Sequence, residues 1–184
     1  MRRLHLITGN QGKLREFKSA LQPLGYEVVH LPQEVFEIQA DTLEEVVREC
    51  LRQLRERGIN DFVLDDSGLF IDALNGFPGV YSSYVLRTLG CQGVLKLMQD
   101  EQDRRARFEC CIGCSMRGRE DLIVKGVCRG RIIETMRGSG GFGFDPIFAA
   151  EGQERTFAEM PLEEKNEVSH RGKAIKSLAE HLKS

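Results

Sequence analysis

A chain of 184 residues, 41% hydrophobic and 29% charged, has the length of one domain and the composition of a folded globular protein rather than a disordered one. Its formal net charge of -2 excludes a general polyanion binder, so nucleic acid is not an expected partner. The apolar run in "MRRLHLITGN" is too short for a secretion signal, no window reaches a membrane span, and six cysteines in such a chain read as reduced thiols, so the expected compartment is the cytoplasm.

Apolar periodicity switches between two and 3.6 along the chain, the mark of a mixed α/β fold. "LHLIT" (Leu4 to Thr8) predicts a short strand, and Leu14, Phe17, Leu21 and Leu24 fall on one face of a helix that ends at Gly25. "YEVVHL" predicts a second strand. Thr42 and Glu45 form a T-x-x-E capping box ahead of Leu43, Val46, Val47, Cys50, Leu51 and Leu54, with Gly58 as the stop. "FVLDDSGLFIDAL" reads as strand, turn and strand, "NGFPGVYSS" as a loop, and a short helix follows around "QGVLKLMQ". Residues 104–116 and 121–133 predict long antiparallel strands joined at "RGRED", a half-exposed hairpin and candidate second lobe. In "CCIGC", Cys110 and Cys114 share one strand face with Ala106, Phe108, Ile112 and Met116. Two sulfurs on one extended face suit packing better than zinc, and neither a second CxxC nor a nearby His completes a ligand set with Cys111. The last helix carries Val168, Ile175, Leu178, Ala179 and Leu182 on one stripe, with Ser169 placed to cap it. With no repeat or linker, residues 1–184 are expected to form a single two-lobed domain.

Four stretches carry chemistry. "TGNQGK" (Thr8, Gly9, Asn10, Gln11, Gly12, Lys13) lies between a strand and a helix. There glycines admit backbone N–H groups to an anion, the helix N-terminus adds its dipole, and Lys13 adds a mobile charge. Leu14 stands where a P-loop needs Ser or Thr, and an Asn-Gly turn opening a helix is the plain alternative. "LDDSG" sets Asp65 and Asp66 in a tight turn at a strand end, suited to Mg²⁺ or to a simple Asx turn. Successive side chains on extended backbone point opposite ways, so the two carboxylates have different tasks. Glu37, in "FEIQAD", is a candidate partner carboxylate. "RGSGGFGFDP" brings Phe142 and Phe144 around Gly143, ahead of Asp145, in a loop that suits a flat ligand unless both rings are core. Stacking on such a ring contributes ~1–3 kcal/mol per base in nucleic-acid systems. In "FAEMPLEEKNEVSHRGKA", His170 and Arg171 open the last helix, where cations oppose its dipole and local stability does not explain them. Lys165 and Lys173 join that cluster.

With these motifs in family order, from "TGNQGK" through "DDSGL", "GFPGVYSS" and "GFGFDPIF" to "FAEMPLEEKNEVSHRGKA", the chain resembles the inosine triphosphate pyrophosphatase family, in wording closest to archaeal members. The resemblance implies an elongated α/β fold: a long mixed central β-sheet flanked by helices, two lobes with a cleft between them, and assembly as a homodimer. It also implies Mg²⁺-dependent hydrolysis of ITP, dITP and XTP between the α- and β-phosphates. By motif, Thr8, Gly9, Asn10, Gln11, Gly12 and Lys13 would hold the triphosphate, and Asp66 would bind Mg²⁺ and act as general base beside Glu37. Ser67 would touch substrate, and Phe142, Gly143, Phe144, Asp145, Lys165, His170 and Arg171 would form the base pocket. Asp65 is expected to support the geometry of Asp66. Some relatives carry lysines at the positions aligned with Glu49 and Ser83; this chain has neither. The rival expectations are a pyrophosphatase of the same fold for pyrimidine or modified nucleotides, and a nucleotide-binding module without turnover.

Overall fold

Strands β1 (Arg2–Ile7), β2 (Tyr26–His30), β3 (Phe62–Ile71), β4 (Arg105–Ser115), β5 (Leu122–Ile132) and β6 (Phe148–Ala150) make one mixed sheet in a computed structural model that describes residues 2–183. The strand order is β2-β1-β3-β4-β5-β6. β1 runs parallel to both its neighbours, whereas β3, β4, β5 and β6 are antiparallel. The helices are α1 (Gln11–Leu21), α2 (Leu43–Glu56), α3 (Ser82–Thr88), α4 (Gly90–Leu97), α5 (Leu162–Val168) and α6 (His170–Lys183). No helix among the described residues is long and apolar enough to cross a membrane.

Each apolar stripe finds its sheet face. Leu14, Phe17 and Leu21 of α1 and Ile175 and Leu178 of α6 bury against Leu4, Leu6, Val63, Cys110, Ile112 and Cys114. Val46, Val47, Leu51 and Leu54 of α2 cover the opposite face over Ile7, Phe62, Leu64 and Cys111. The far half of the sheet has its own core, in which Leu69, Ile71 and Phe108 meet Val85, Val94, Phe144, Phe148 and Phe157. Two lobes therefore share one sheet. At Gly126 on β5 an added Cβ would stand 2.0 Å from the carbonyl oxygen of His170, so a side chain there would push the start of α6 off the sheet. The capping box forms as expected: Thr42 Oγ1 accepts from the Glu45 amide at 3.3 Å, and Glu45 Oε2 accepts from the Thr42 amide at 2.9 Å. Such a cap contributes ~1 kcal/mol.

Several expectations change. "FVLDDSGLFI" is one uninterrupted strand, with Asp65 opposite Ile112 and Asp66 opposite Cys111, and not a strand, turn and strand. A charged pair survives there because Asp65 is neutralised by neighbouring cations. The 104–116/121–133 hairpin is real but is no separate lobe: β4 is an interior strand paired along its length on both sides. Half-exposure holds only for β5, where Lys125, Val127 and Arg129 face solvent. The first helix stops at Leu21; a 3₁₀ turn with Pro23 follows, and Leu24 is exposed. Val168 ends α5, and Ser169 divides α5 from α6, its Oγ accepting from the Gly172 amide at 3.0 Å. Cys110, Cys111 and Cys114 are buried packing residues, and burial pushes the Cys111 and Cys114 thiols up to about 12 and about 11.

Candidate functional site

The cleft arises where the sheet loses a strand. β1 accompanies β3 only from Phe62 to Leu64; at Asp65 that edge of β3 meets Lys13 at the start of α1, and from Leu69 to Ile71 it is covered by the Phe77 to Ser82 segment. A cavity of about 650 Å³ opens there, between the two lobes. Thr8, Gly9, Asn10, Gln11, Gly12, Lys13, Glu37, Asp65, Asp66, Ser67, Phe142, Gly143, Phe144, Asp145, Lys165, His170 and Arg171 all line it. These residues come from six separate segments of chain, and only the fold collects them.

The first wall is the β1–α1 loop. Asn10 caps α1, its Oδ1 accepting from the amides of Gly12 at 2.8 Å and Lys13 at 3.1 Å. Two of the N–H groups that a helix N-terminus offers to an anion are therefore already taken. The Asn10 amide donates to Thr8 Oγ1 at 3.1 Å, and His30 Nε2 meets the Thr8 carbonyl at 2.8 Å, which fixes the loop. Gly12 matters for packing: a Cβ there would lie 2.3 Å from the Phe142 ring, so its absence lets that ring lie on the first turn of α1. Lys13 Nζ bonds the Asp65 carbonyl at 3.1 Å and Asp65 Oδ2 at 3.2 Å. An ammonium has three donors, so one is left for a ligand.

The carboxylates of β3 divide as alternation requires. Asp65 is buried toward α1 and α6; burial opposes its ionisation, but Lys13 and Arg171 outweigh this and hold its carboxyl below the usual range. It acts on Lys13 and Arg171 rather than by contact with Asp66. Asp66 faces the α2 side. Its Oδ1 accepts from the Ser67 amide at 2.9 Å, while Oδ2 is buried with no partner. Burial, reinforced by the charges of Glu37 and Asp65 and opposed by Lys13, raises the Asp66 carboxyl to about 7. Glu37 reaches the cleft from the irregular segment 31–41.

A buried charge network backs the third wall. Lys165 Nζ donates to Asp145 Oδ2 and Glu16 Oε1, both at 2.5 Å. Arg171 bonds Glu16 Oε2, Asp65 Oδ2 at 3.1 Å and Ser67 Oγ at 2.7 Å. Five N–H donors against three bonds leave Arg171 two for a ligand. Asp145 Oδ2 also takes the Phe142 amide at 2.9 Å, which fixes the aromatic loop. The Phe142 ring lies 4.8 Å from Lys165 Nζ and 5.5 Å from the Arg171 guanidinium. Phe144 borders the cleft but is 3% exposed and belongs to the far core, so the two phenylalanines are not equivalent. His170 stacks on Phe108 at 4.6 Å between ring centres. Burial, helped by Arg171 and Lys165, drives its pKa well below the usual histidine range, so the ring is neutral, and its buried Nδ1 has no partner.

Glu16 is the residue that sequence reading misses. It sits on α1 next to Phe17 of the apolar stripe, and only the arrival of Lys165 and Arg171 marks it as buried. Ser83 lines the cleft, whereas Glu49 does not and is paired with Arg52. In and behind the cleft, Lys13, Lys165 and Arg171 face five carboxylates: Glu16, Glu37, Asp65, Asp66 and Asp145. The surplus negative charge falls on Glu37 and Asp66. Among the described residues no three His, Cys, Asp or Glu side chains group to hold a metal. Two carboxylates at an open cleft suit a hard cation that keeps its waters and takes ligand oxygens.

Residues 4–181 match the model of the Ham1 family. The chain is 52% identical over 181 residues to a dITP/XTP pyrophosphatase of Thermococcus kodakarensis, covering 98% of this chain and 97% of that one. It is 51% identical, with the same coverage, to a dITP/XTP pyrophosphatase of Pyrococcus horikoshii. The solved structure of the Staphylococcus aureus Ham1 protein superposes with a TM-score of 0.84 at 31% identity, covering 99% of this chain and 98% of that one.

Proposed function

The chain belongs to the Ham1 family, and on that premise we propose that it hydrolyses the non-standard purine triphosphates ITP, dITP and XTP to the nucleoside monophosphate and pyrophosphate. The observation that carries this reading is the single cleft where a lysine-bearing helix start, an unpartnered carboxylate raised to about 7, and an aromatic-cationic wall face one another. Lys13 and the β1–α1 loop receive the triphosphate. Phe142 lies along the purine face, with Gly143 bringing the backbone close. His170 and the two spare donors of Arg171 sit where the base edge arrives, and Ser67 holds Arg171 in place.

Glu37 and Asp66 fit a divalent cation, Mg²⁺ in our reading, because their charge is uncompensated and Asp66 Oδ2 is free. Bound there, the cation supplies charge neutralisation at the phosphate oxygens, without which a polyanion would meet surplus carboxylates. The chain's own step is proton transfer. Water attacks the α-phosphorus, and Asp66 Oδ2 accepts its proton. The bond from the α-phosphorus to the bridging oxygen breaks, and pyrophosphate leaves with the electron pair. The value of about 7 belongs to the cation-free cleft; a bound cation would lower it and keep Asp66 ionised as the base at neutral pH.

A 6-oxo purine pairs with donors on this wall, while adenine's 6-amino group would leave them unsatisfied, a buried mismatch that discriminates strongly. The reading includes a cytoplasmic homodimer acting on a small-molecule nucleotide and on neither nucleic acid nor membrane. The test is pyrophosphate release from ITP, XTP, dITP, GTP, ATP, dTTP and UTP with Mg²⁺ and with EDTA. Release from the first three, little from the others and none with EDTA is expected. Preference for dTTP or UTP would move the assignment to pyrimidine nucleotides, and no release from any would leave only a binding module.

A further inference from the structure

The segment that carries Glu37 has no regular secondary structure from Leu31 to Asp41, and Phe36 and Ile38 on either side of Glu37 are 75% and 44% exposed. Leu31, Val35 and Ala40 of the segment rest on the α2 core, but no packing holds the stretch from Phe36 to Ile38 itself. One side chain of α2 does. Gln53 Oε1 accepts from the Phe36 amide at 3.0 Å, and Gln53 Nε2 donates to the Phe36 carbonyl at 2.8 Å, a two-point grip on the residue directly before Glu37. One turn later on the same face, Arg57 bonds the Glu34 carbonyl. The Gln53 amide is itself oriented: Nε2 also donates to Glu49 Oε1 at 3.1 Å, and Glu49 is clamped by Arg52 through bonds of 2.8 and 2.7 Å. α2 in turn is held by its capping box and by the burial of its leucine and valine stripe.

We propose that Gln53, oriented by the Glu49–Arg52 pair, is a positioning residue that sets Glu37 against Asp66 and so tunes the affinity of the cleft for its divalent cation. This rests on the reading of Glu37 and Asp66 as the cation-holding pair. It gives Glu49 a task that requires no contact with the nucleotide. A backbone gripped at both the N–H and the carbonyl of Phe36 has little freedom at the next residue, so the Glu37 carboxylate is presented within a narrow arc. A ligand held by an oriented support typically loses 10–100-fold in metal affinity when the support is removed.

The experiment uses the full chain with Mn²⁺ as the probe. Mn²⁺ binding is followed by electron paramagnetic resonance without nucleotide, amide exchange is followed at Phe36, and the Mg²⁺ half-saturation of turnover is measured alongside. Gln53→Leu should speed Phe36 exchange, weaken Mn²⁺ roughly tenfold and raise the Mg²⁺ half-saturation similarly, with kcat returning at saturating Mg²⁺. Glu49→Ala, which removes only the orientation, should move all three the same way by less, and Glu49→Gln, which keeps the acceptor, should restore them. Faster Phe36 exchange with Mn²⁺ affinity within twofold of wild type would overturn the proposal, as would unchanged exchange. Glu37→Gln separates the premises: if it too leaves Mn²⁺ binding unchanged, the carboxylate-pair reading has failed rather than the role of Gln53.

Discussion

Asp66→Asn should make the metal-free protein more stable while abolishing turnover. The carboxyl is raised from the ordinary aspartate value of 3.8 to about 7, chiefly by burial. In the unfolded chain it ionises near its ordinary value, so between about pH 4 and pH 7 the folded state holds a proton that the unfolded state has released. Stability must therefore fall as pH rises through that window, with the full cost present above pH 7. Three units at ~1.4 kcal/mol each would be ~4 kcal/mol, and partial solvent contact of the residue reduces this to ~1–3 kcal/mol. Asparagine cannot ionise and keeps an oxygen to accept the Ser67 amide. The assay is urea unfolding of both proteins in EDTA at pH 8, 6 and 4.5. The variant should gain ~1–3 kcal/mol at pH 8, less at pH 6, and about a quarter of the pH 8 gain at pH 4.5. Adding Mg²⁺ at pH 8 should narrow the gap, because the cation binds only the folded wild type. A gain that is absent at pH 8, or equal at every pH, would refute the placement of an uncompensated carboxylate in the cleft.

Glu16→Ala leaves two buried cations, Lys165 and Arg171, each short of a partner, and should cost ~3–5 kcal/mol in denaturant unfolding; a loss below ~1 kcal/mol would dismiss the network as a stabilising element. The two phenylalanines of "GFGF" should separate cleanly. Phe142→Ala should raise the KM for ITP, read from initial rates, by ~10-fold with little effect on Tm, while Phe144→Ala should cost ~3–5 kcal/mol of stability. The reverse pattern would exchange their assignments.

Local signals in the sequence are sufficient for the parts of this molecule that depend on neighbours in the chain. The T-x-x-E box and its apolar stripe define α2, alternation defines the β4–β5 hairpin, and strand alternation alone separates the tasks of Asp65 and Asp66. The motif set, read as a whole, also marks the cleft residues, since each lies in a short stretch of unusual composition. What failed did so because a local rule met a distant partner. Asp-Asp-Ser-Gly has the chemistry of a turn, yet Lys13 and Arg171, 52 and 106 residues away, neutralise Asp65 and allow a continuous strand. Phe142 and Phe144 look alike in sequence, and only the approach of Gly12 on one side and the far core on the other tells a cleft ring from a packing ring. Glu16 and Gln53 carry no local mark at all. The first is charged on a buried face and the second polar at a half-buried one, and both have partners that sequence distance conceals. Periodicity records which face a residue turns inward. Charge compensation and backbone support depend on what stands opposite that face, which the tertiary structure alone decides.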